Sequence, residues 1–176
     1  MASLVNTLAS KVAEAIPSIK EGSTIPSGYA IKEDNPEQAT VDLGKLAGKN
    51  LIIGVPGAFT PPCSSHVPGY VGSYDKFSAK GIKDIYIVAV NDAFATQAWK
   101  EKLDSKQPNV HFLADDTGAF TNAVGLGFDA TGLLGNARSQ RYVAVVENNS
   151  VSQLFVEQAA PDVKVTAADH VLSQLK

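Results

Sequence analysis

Apolar runs that alternate with segments of helical spacing constrain the fold of this chain more than any other feature of the sequence. Three predominantly apolar runs cover 50–55, 84–90 and 110–114. Unbroken runs of this length are typical of strands that are buried on both faces of a parallel sheet. The first run stops at Pro56, which cannot continue the hydrogen-bond ladder of a strand.

The segments between these runs predict helices. Apolar residues recur at helical spacing over 64–80, which Gly81 closes, and over 93–104, which Asn91-Asp92 precede as a capping pair. Strands and helices that alternate in this way form βαβ units on a parallel sheet.

The last third of the chain has a different pattern. Strand-like runs over 141–147 and 151–157 flank a turn signal, Asn-Asn-Ser at 148–150, which predicts an antiparallel hairpin. A last helix with a Thr or Asp cap is expected over 166–175. The predicted fold class is therefore α/β, with a thioredoxin-like fold in which helices flank a mixed central sheet, followed by a C-terminal β-hairpin and helix.

Length and composition predict one domain. A chain of 176 residues with 44% hydrophobic content can bury one core and is too short for two substantial domains. We expect a short amphipathic helix over 1–16, an irregular or hairpin-like lead-in over 17–36, and structure proper from near Ala39. Residues 1–176 are interpreted as a single domain, of which 1–40 form the N-terminal helix and lead-in.

The charge pattern excludes two classes of partner. The chain has 15 Lys and Arg against 18 Asp and Glu, and neither sign forms a block. Nucleic acid and anionic membrane surfaces are therefore not expected partners. No apolar stretch reaches the roughly 18 residues that a membrane span requires.

A single cysteine, Cys63, limits the redox chemistry. One thiol cannot form an internal disulfide or a metal-thiolate cluster, so we expect a reducing compartment. The cytoplasm is the simplest assignment, with peroxisomes and mitochondria also open.

The position of Cys63 favours a reactive thiol. It follows the first apolar run through a Pro/Gly turn and lies where the next helix begins, and the amides and dipole of a helix start favour an anion. Thr60 can present a hydroxyl toward the sulfur, and Pro56 would close one side of the pocket. On composition alone a lone cysteine is more often an inert small hydrophobe, but an inert one is expected inside an apolar run.

The residues around this cysteine resemble a known family. The run 56–63, Pro-Gly-Ala-Phe-Thr-Pro-Pro-Cys, is similar to the Pro-x-x-x-Thr-x-x-Cys signature of peroxiredoxins. The segments 90–94, 113–120 and 140–146 resemble stretches of the type II, or peroxiredoxin-5, subfamily. Separated matches in the correct order are more specific than one short motif. The resemblance covers about 41–175.

This resemblance implies a thiol peroxidase that reduces hydrogen peroxide and organic hydroperoxides to water and alcohols through a sulfenic acid. It implies that Cys63 is the peroxidatic nucleophile and that Thr60 hydrogen-bonds the peroxide and the thiolate. Pro56 shields the site, and Arg141 holds the thiolate and polarises the O–O bond. The place of Arg141 at the start of a predicted strand is consistent with that role. No metal, haem or flavin cofactor is needed.

The chain departs from the family pattern in two ways. It lacks a second, resolving cysteine, so the reductant must be an external thiol such as glutathione, glutaredoxin or thioredoxin, in a 1-Cys cycle. Pro62 stands where a number of relatives have Gly or Thr, and it has no N–H to offer a bound peroxide. We therefore expect Pro62→Gly to raise the rate of sulfenic acid formation.

Other interpretations stay open at this point. Oxidised Cys63 would pass its oxidation to a partner protein if the chain were a redox relay or peroxide sensor, and such a relay would not turn over many equivalents of peroxide. A binding module with an inert thiol would titrate near about pH 8.5, like free cysteine. His66 is interpreted as solvated or packed rather than as a base, and Arg138 as a surface residue or a support of the site.

The family also implies a homodimer. We expect its interface around Phe94, Phe120 and the helix of Cys63, and we expect Phe59 and Phe120 to favour alkyl substrates. The preferred peroxide and the physiological reductant do not follow from the sequence.

Overall fold

The computed structural model describes residues 17–176, so the helix predicted over 1–16 lies outside the described residues. Nine strands occur in this part of the chain. They are β1 (Ile31–Lys32), β2 (Ala39–Val41), β3 (Lys49–Val55), β4 (Ile82–Ala89), β5 (Val110–Ala114), β6 (Gly127–Asp129), β7 (Ala137–Ser139), β8 (Tyr142–Glu147) and β9 (Ser150–Val156). Seven form one sheet in the order β2-β1-β5-β4-β3-β8-β9, and β6 pairs with β7 as a separate ribbon.

The centre of the sheet is parallel and its flanks are antiparallel, as predicted. Strands β3, β4 and β5 run parallel, whereas β8 is antiparallel to β3 and β9 to β8. Each strand predicted from an apolar run is present within two residues of its expected bounds. Asn148 and Asn149 form the predicted hairpin turn with φ of 48° and 69°, a left-handed conformation that asparagine tolerates.

Helices cover both faces of the sheet. They are α1 (Pro61–Gly72), α2 (Tyr74–Ala79), α3 (Ala93–Lys102), α4 (Ala119–Ala123), α5 (Thr131–Leu134) and α6 (Ala168–Gln174), with a 3-10 turn at Leu43–Lys45. The segment predicted as one helix over 64–80 is two, because the chain leaves helical geometry at Ser73. Asp92 caps α3 as predicted, by accepting from the Ala95 amide. The Thr or Asp cap predicted for the last helix is wrong, since Ala167 occupies the cap of α6.

The lead-in contributes more to the core than the sequence predicts. Strands β1 and β2 form a hairpin that adds to the edge of the sheet at β5. Ile19, Ile25 and Ile31, the last of them in β1 itself, are all buried, so structure begins well before the expected position near residue 39. Isolated isoleucines six residues apart form no continuous apolar or alternating run, which is why the sequence pattern did not indicate them.

The sheet separates two apolar cores. Alternate residues of β3 point to opposite faces, so that Leu51 and Ile53 pack with α1 and α6, whereas Ile52 packs with the lead-in and α4. Cys63 belongs to the first core. Among the helices of residues 17–176, none is both long and apolar enough to span a bilayer.

Candidate active site

The thiol of Cys63 lies at the carboxyl end of the parallel strands. Strand β3 ends at Val55, the chain turns over 56–60, and α1 begins with Thr60 at its cap and prolines at its first two positions. Because Pro61 and Pro62 have no N–H, the amide of Cys63 is the first donor that the helix start can offer. The Cys63 side chain is completely buried, with 0% exposure.

The turn that precedes the helix is fixed by close contacts. A Cβ on Gly57 would lie 2.8 Å from Nη1 of Arg138, so a larger residue there would require that guanidinium to shift. Phe59 has a φ of 64°, which a bulky side chain rarely adopts, and the Ala58 amide donates to Oδ1 of Asn91. These constraints hold the helix start in one position relative to β3.

Arg141 is the direct partner of the thiol. Its Nη2 lies 3.3 Å from Sγ of Cys63, and its Nε and Nη2 donate to the carbonyl oxygen of Ala160 at 3.3 and 3.1 Å. The side chain is 1% exposed. Within the part of the chain that the structure describes, the ion pairs do not include Arg141. Its positive charge is therefore left for an anion at the sulfur, such as a thiolate.

His66 holds the far side of the guanidinium. Its Nε2 lies 2.8 Å from the carbonyl oxygen of Thr166, and its Nδ1 lies 3.1 Å from Nη1 of Arg141. A carbonyl only accepts, so Nε2 carries the proton and Nδ1 accepts from Arg141. Burial, together with the charge of Arg141, lowers the pKa of His66 to about 4. At neutral pH it is a neutral acceptor.

Of the two interpretations of His66, solvated or packed, the structure supports the packed one, because the residue is only 3% exposed. The signal that could have identified its position is its spacing of three residues from Cys63, which places both on one face of α1. Its partners, Arg141 and Thr166, are 75 and 100 residues away along the chain and carry no such signal.

Pro56 and Thr60 lie on the wall of the same site. The Thr60 hydroxyl donates to the Gly57 carbonyl at 2.9 Å, so its hydrogen is not directed at the sulfur and its lone pairs remain to accept. Pro56 is buried, and its carbonyl accepts from Nη1 of Arg138 at 3.2 Å. Arg138 also donates to the Leu134 carbonyl, so it connects the 56–60 turn to the end of α5. Of the predicted site residues, Cys63 and Arg141 are in contact, and Pro56 and Thr60 flank them.

A cleft of about 520 Å³ lies against Pro56, Thr60 and Arg141, whereas Cys63 is not part of its lining. Its walls are mostly apolar and consist of Pro56, Thr60, Pro61, Pro62, Phe128, Asp129, Ala130, Gly132, Leu133, Leu134, Arg141, Ala160 and Pro161. Its aromatic wall is Phe128, which the sequence did not single out. Phe120, expected to favour alkyl substrates and to lie at an interface, is 1% exposed and packs in the second core, so that expectation is wrong for Phe120.

In residues 17–176, no group of three or more His, Cys, Asp or Glu side chains is arranged to hold a metal ion. The chemistry that the site can provide from its own side chains is that of a buried thiol beside an arginine cation.

Comparisons with known proteins agree with this geometry. The model of the redoxin family matches residues 11–172. Peroxisomal membrane associated protein 20 of Schizosaccharomyces pombe is 53% identical over 155 residues, which cover 88% of this chain and 97% of that protein. The mitochondrial peroxiredoxin-2F of Arabidopsis thaliana is 38% identical over 159 residues, which cover 90% of this chain and 77% of that protein.

A solved structure extends the similarity to three dimensions. The antioxidant protein of Plasmodium falciparum, described as a 1-Cys peroxiredoxin, superimposes with a TM-score of 0.78 at 28% identity. The alignment covers 87% of this chain and 96% of that one. With the sheet order above, these similarities confirm the predicted thioredoxin-like fold.

Proposed function

Because this chain belongs to the type II peroxiredoxins of the redoxin family, which are thiol peroxidases, we propose that Cys63 is its peroxidatic residue and works in a 1-Cys cycle. The observation that carries the proposal is the 3.3 Å contact between Sγ of Cys63 and Nη2 of Arg141 in a site without solvent exposure. A permanent cation at this distance favours the thiolate, which is the nucleophilic form of cysteine.

The first half of the cycle oxidises the thiol. The Cys63 thiolate attacks one oxygen of ROOH, an S–O bond forms and the O–O bond breaks, and the leaving RO⁻ takes up a proton to become ROH. Cys63 becomes a sulfenic acid. Arg141 and the Cys63 amide face the oxygens on which negative charge develops, and this preorganised charge is the main source of rate. Thr60 accepts a hydrogen bond from the peroxide through its free lone pairs, and Pro56 excludes water.

The second half needs a thiol from outside the chain. Cys63 is the single cysteine of the sequence, so its sulfenic acid has no partner for an internal disulfide. Glutathione would condense with it to a mixed disulfide and water, and a second thiol, from glutathione, glutaredoxin or thioredoxin, would release the reduced enzyme. The name of the Plasmodium falciparum relative, a 1-Cys peroxiredoxin, supports this cycle.

The cleft supports organic hydroperoxides as substrates in addition to hydrogen peroxide. A volume of about 520 Å³ is more than hydrogen peroxide fills, and the walls beyond Arg141 are formed by Phe128, Leu133 and Leu134. An alkyl group bound there would leave water, which is favourable for apolar surface. Pro61 and Pro62 extend the apolar wall at the helix start, where they replace two amide donors.

A homodimer remains part of the proposal, with an interface around Phe94 and the start of the Cys63 helix but without the buried Phe120. Phe59, in the turn before α1, and Phe94, in the first turn of α3, are 51% and 69% exposed, and the hydrogen bond from Ala58 to Asn91 joins the two segments. Exposed aromatic side chains on adjacent segments are typical of surfaces that bind a protein partner. The compartment is proposed to be a reducing one; the relatives' names add the peroxisomal membrane and the mitochondrion to the cytoplasm as candidates.

The test is a peroxide consumption assay in which glutathione with glutaredoxin and thioredoxin are supplied side by side. Wild-type protein should consume many equivalents of cumene hydroperoxide with at least one reductant, and Cys63→Ser should consume none. Mass spectrometry after one equivalent of peroxide and excess glutathione should find a mixed disulfide on Cys63. Oxidation that stops after one equivalent with every reductant would contradict the catalytic cycle and leave a relay.

A further inference from the structure

The loop over 157–166, which connects β9 to α6, supplies two of the groups that hold the active-site side chains. The Ala160 carbonyl accepts from Nε and Nη2 of Arg141, and the Thr166 carbonyl accepts from Nε2 of His66. The Tyr70 hydroxyl also donates to the Thr166 carbonyl. The conformation of this loop therefore decides where the guanidinium and the imidazole lie.

The buried carboxylate of Glu157 accepts several hydrogen bonds from this loop. Its Oε1 accepts from the Lys164 amide at 2.6 Å, and from the amide and hydroxyl of Thr166, both at 2.9 Å. Its own amide donates to the Arg141 carbonyl at 3.0 Å, which ties the start of the loop to the backbone of the arginine. Glu157 is 7% exposed, while Gln158, Ala159, Pro161 and Val165 of the same loop are exposed.

The carboxylate of Glu157 is used by the loop rather than by a cation. Glu157 and Arg141 do not form an ion pair in the described residues, and Oε1 of the carboxylate accepts hydrogen bonds from the loop. A buried acid is retained where its acceptor capacity is used by several donors. The donors here are all on the segment that aims the two carbonyls at Arg141 and His66.

We propose that Glu157 is a positioning residue of the peroxidase site, whose carboxylate fixes the 157–166 loop so that its carbonyls orient His66 toward Arg141 and Arg141 toward Cys63. The inference rests on the proposed function of Cys63. The effect of the loop geometry on the Cys63 thiolate is opposite in sign to the effect of the Glu157 charge. A negative charge near the sulfur disfavours a thiolate, whereas a correctly placed arginine favours it, so loss of the charge and loss of the loop geometry change the thiol in opposite directions.

Two substitutions separate these effects. Glu157→Gln removes the charge but keeps an amide oxygen that can accept from Lys164 and Thr166, and Glu157→Met removes the acceptor at similar length. The exposed ion pair between Lys164 and Asp162 lies in the same loop, so Asp162→Asn is the matched control. The readouts are the pH profile of Cys63 alkylation by iodoacetamide, measured without peroxide, and the rate of oxidation by hydrogen peroxide, followed through Trp99. The Trp99 indole donates to Ser64, the neighbour of Cys63.

With Glu157→Met, the alkylation profile should move to higher pH, and the oxidation rate should fall about tenfold because the guanidinium is displaced. Glu157→Gln should stay within about threefold of wild type, with an alkylation profile that is unchanged or moved to lower pH. Asp162→Asn should match wild type. A folded Glu157→Met protein with the wild-type profile, or Gln and Met variants that move in the same direction, would overturn the inference.

A third variant keeps the test decisive if Glu157→Met does not fold. Thr166→Val removes one of the donors to the carboxylate and leaves the carbonyl to His66 in place. It should move the alkylation profile in the same direction as Glu157→Met by a smaller amount, and an unchanged profile would count against the proposal. Failure of the proposed function would look different, since wild-type Cys63 itself would then not be oxidised by peroxide.

Discussion

The two faces of the sheet each hold a histidine in a polar cluster, and the clusters are built in opposite ways. On the α1 face, His66 meets Arg141 and a carbonyl, so burial and the neighbouring cation lower its pKa to about 4. On the other face, His111 lies on β5 and stacks on Tyr86, with Nδ1 2.7 Å from Glu33 and Nε2 3.3 Å from Asp84. The hydrogen bond that His111 donates to Glu33 raises the pKa of His111 despite partial burial.

The two clusters differ in the charges that surround the histidine. Around His111 the ring lies between two carboxylates, Glu33 just after β1 and Asp84 on β4, and both favour its protonated form. Around His66 the histidine is neutral, so the charge of Arg141 has no carboxylate partner within the described ion pairs and remains directed at Cys63. The same side chain thus lies between carboxylates that favour its protonated form in one cluster and serves as a neutral acceptor beside Arg141 in the other.

Replacement of Arg141 should have the largest effect on the rate of Cys63 oxidation, because it removes the cation that distinguishes the His66 cluster from the His111 cluster. Arg141→Met should lower the rate of Cys63 oxidation by about 10²–10³-fold, because the developing charge on oxygen loses its main partner. Arg141→Lys should recover little, since one ammonium cannot meet the thiol, the His66 ring and the Ala160 carbonyl together. Stopped-flow fluorescence of Trp99 measures the rate.

The natural control is the second arginine. Arg138 contacts the Pro56 carbonyl but not the thiol, so Arg138→Met should lower the rate by less than about tenfold. Full activity of Arg141→Lys would mean that charge alone, without the guanidinium geometry, is what the site requires.

Replacements of His66 sharpen the comparison by separating its two nitrogens. Asparagine places an amide oxygen near the position of Nδ1 and can still accept from Arg141, whereas glutamine places its amide near Nε2 and keeps only the contact to Thr166. We expect His66→Asn to retain the oxidation rate within about threefold and His66→Gln to lower it about tenfold. The reverse order would show that the bond to Thr166 matters more than the one to Arg141.

Acid should destabilise the protein through His66. The folded-state pKa of about 4 is lowered from the ordinary value of 6.5, so between these values the unfolded chain binds the proton and the folded chain does not. The stabilising contribution is therefore present above pH 6.5 and is lost as the pH falls toward 4. From pH 7 to pH 5 the free energy of unfolding of wild type should fall by on the order of 2 kcal/mol more than that of His66→Asn. Urea unfolding at both values measures it.

His111 should show the opposite sign and the smallest effect. Its pKa is raised, so its contribution is fully present below pH 6.5 and is lost as the pH rises through the folded value. Relative to His111→Gln, wild type should be more stable at pH 6 than at pH 9 by less than about 1 kcal/mol, because the cluster is partly exposed. A difference of the same sign as that of His66 would contradict the assigned charges.

The central strands, and three of the residues that meet at the candidate site, were predictable because their signals are local or lie in a contiguous motif. Strand β5 matches its apolar run without a shift, and Pro56, Thr60 and Cys63 occur within eight consecutive residues. Arg141 was identified through the family resemblance, although nothing local connects it to Cys63.

The supporting groups were not predictable for a physical reason. Arg141 is held by the carbonyl of Ala160 and, through His66, by the carbonyl of Thr166, and a carbonyl is present in every residue whatever its side chain. Glu157 ends an apparently ordinary strand-like run of the sequence. The amides that donate to its carboxylate belong to Lys164 and Thr166, seven and nine residues further along the chain. Contacts of this kind are set by the path of the loop, which periodicity does not describe.

The complete burial of Cys63 also affects how long the oxidised form of the protein lasts. Cys63 is 0% exposed and does not line the cleft, so an external thiol of any size reaches the sulfur only after the helix start or Arg141 moves. In the proposed cycle the oxidised molecule therefore persists for an interval set by this movement as well as by the supply of reductant. Each copy would be oxidised by one peroxide and would stay oxidised until an external thiol reduces it.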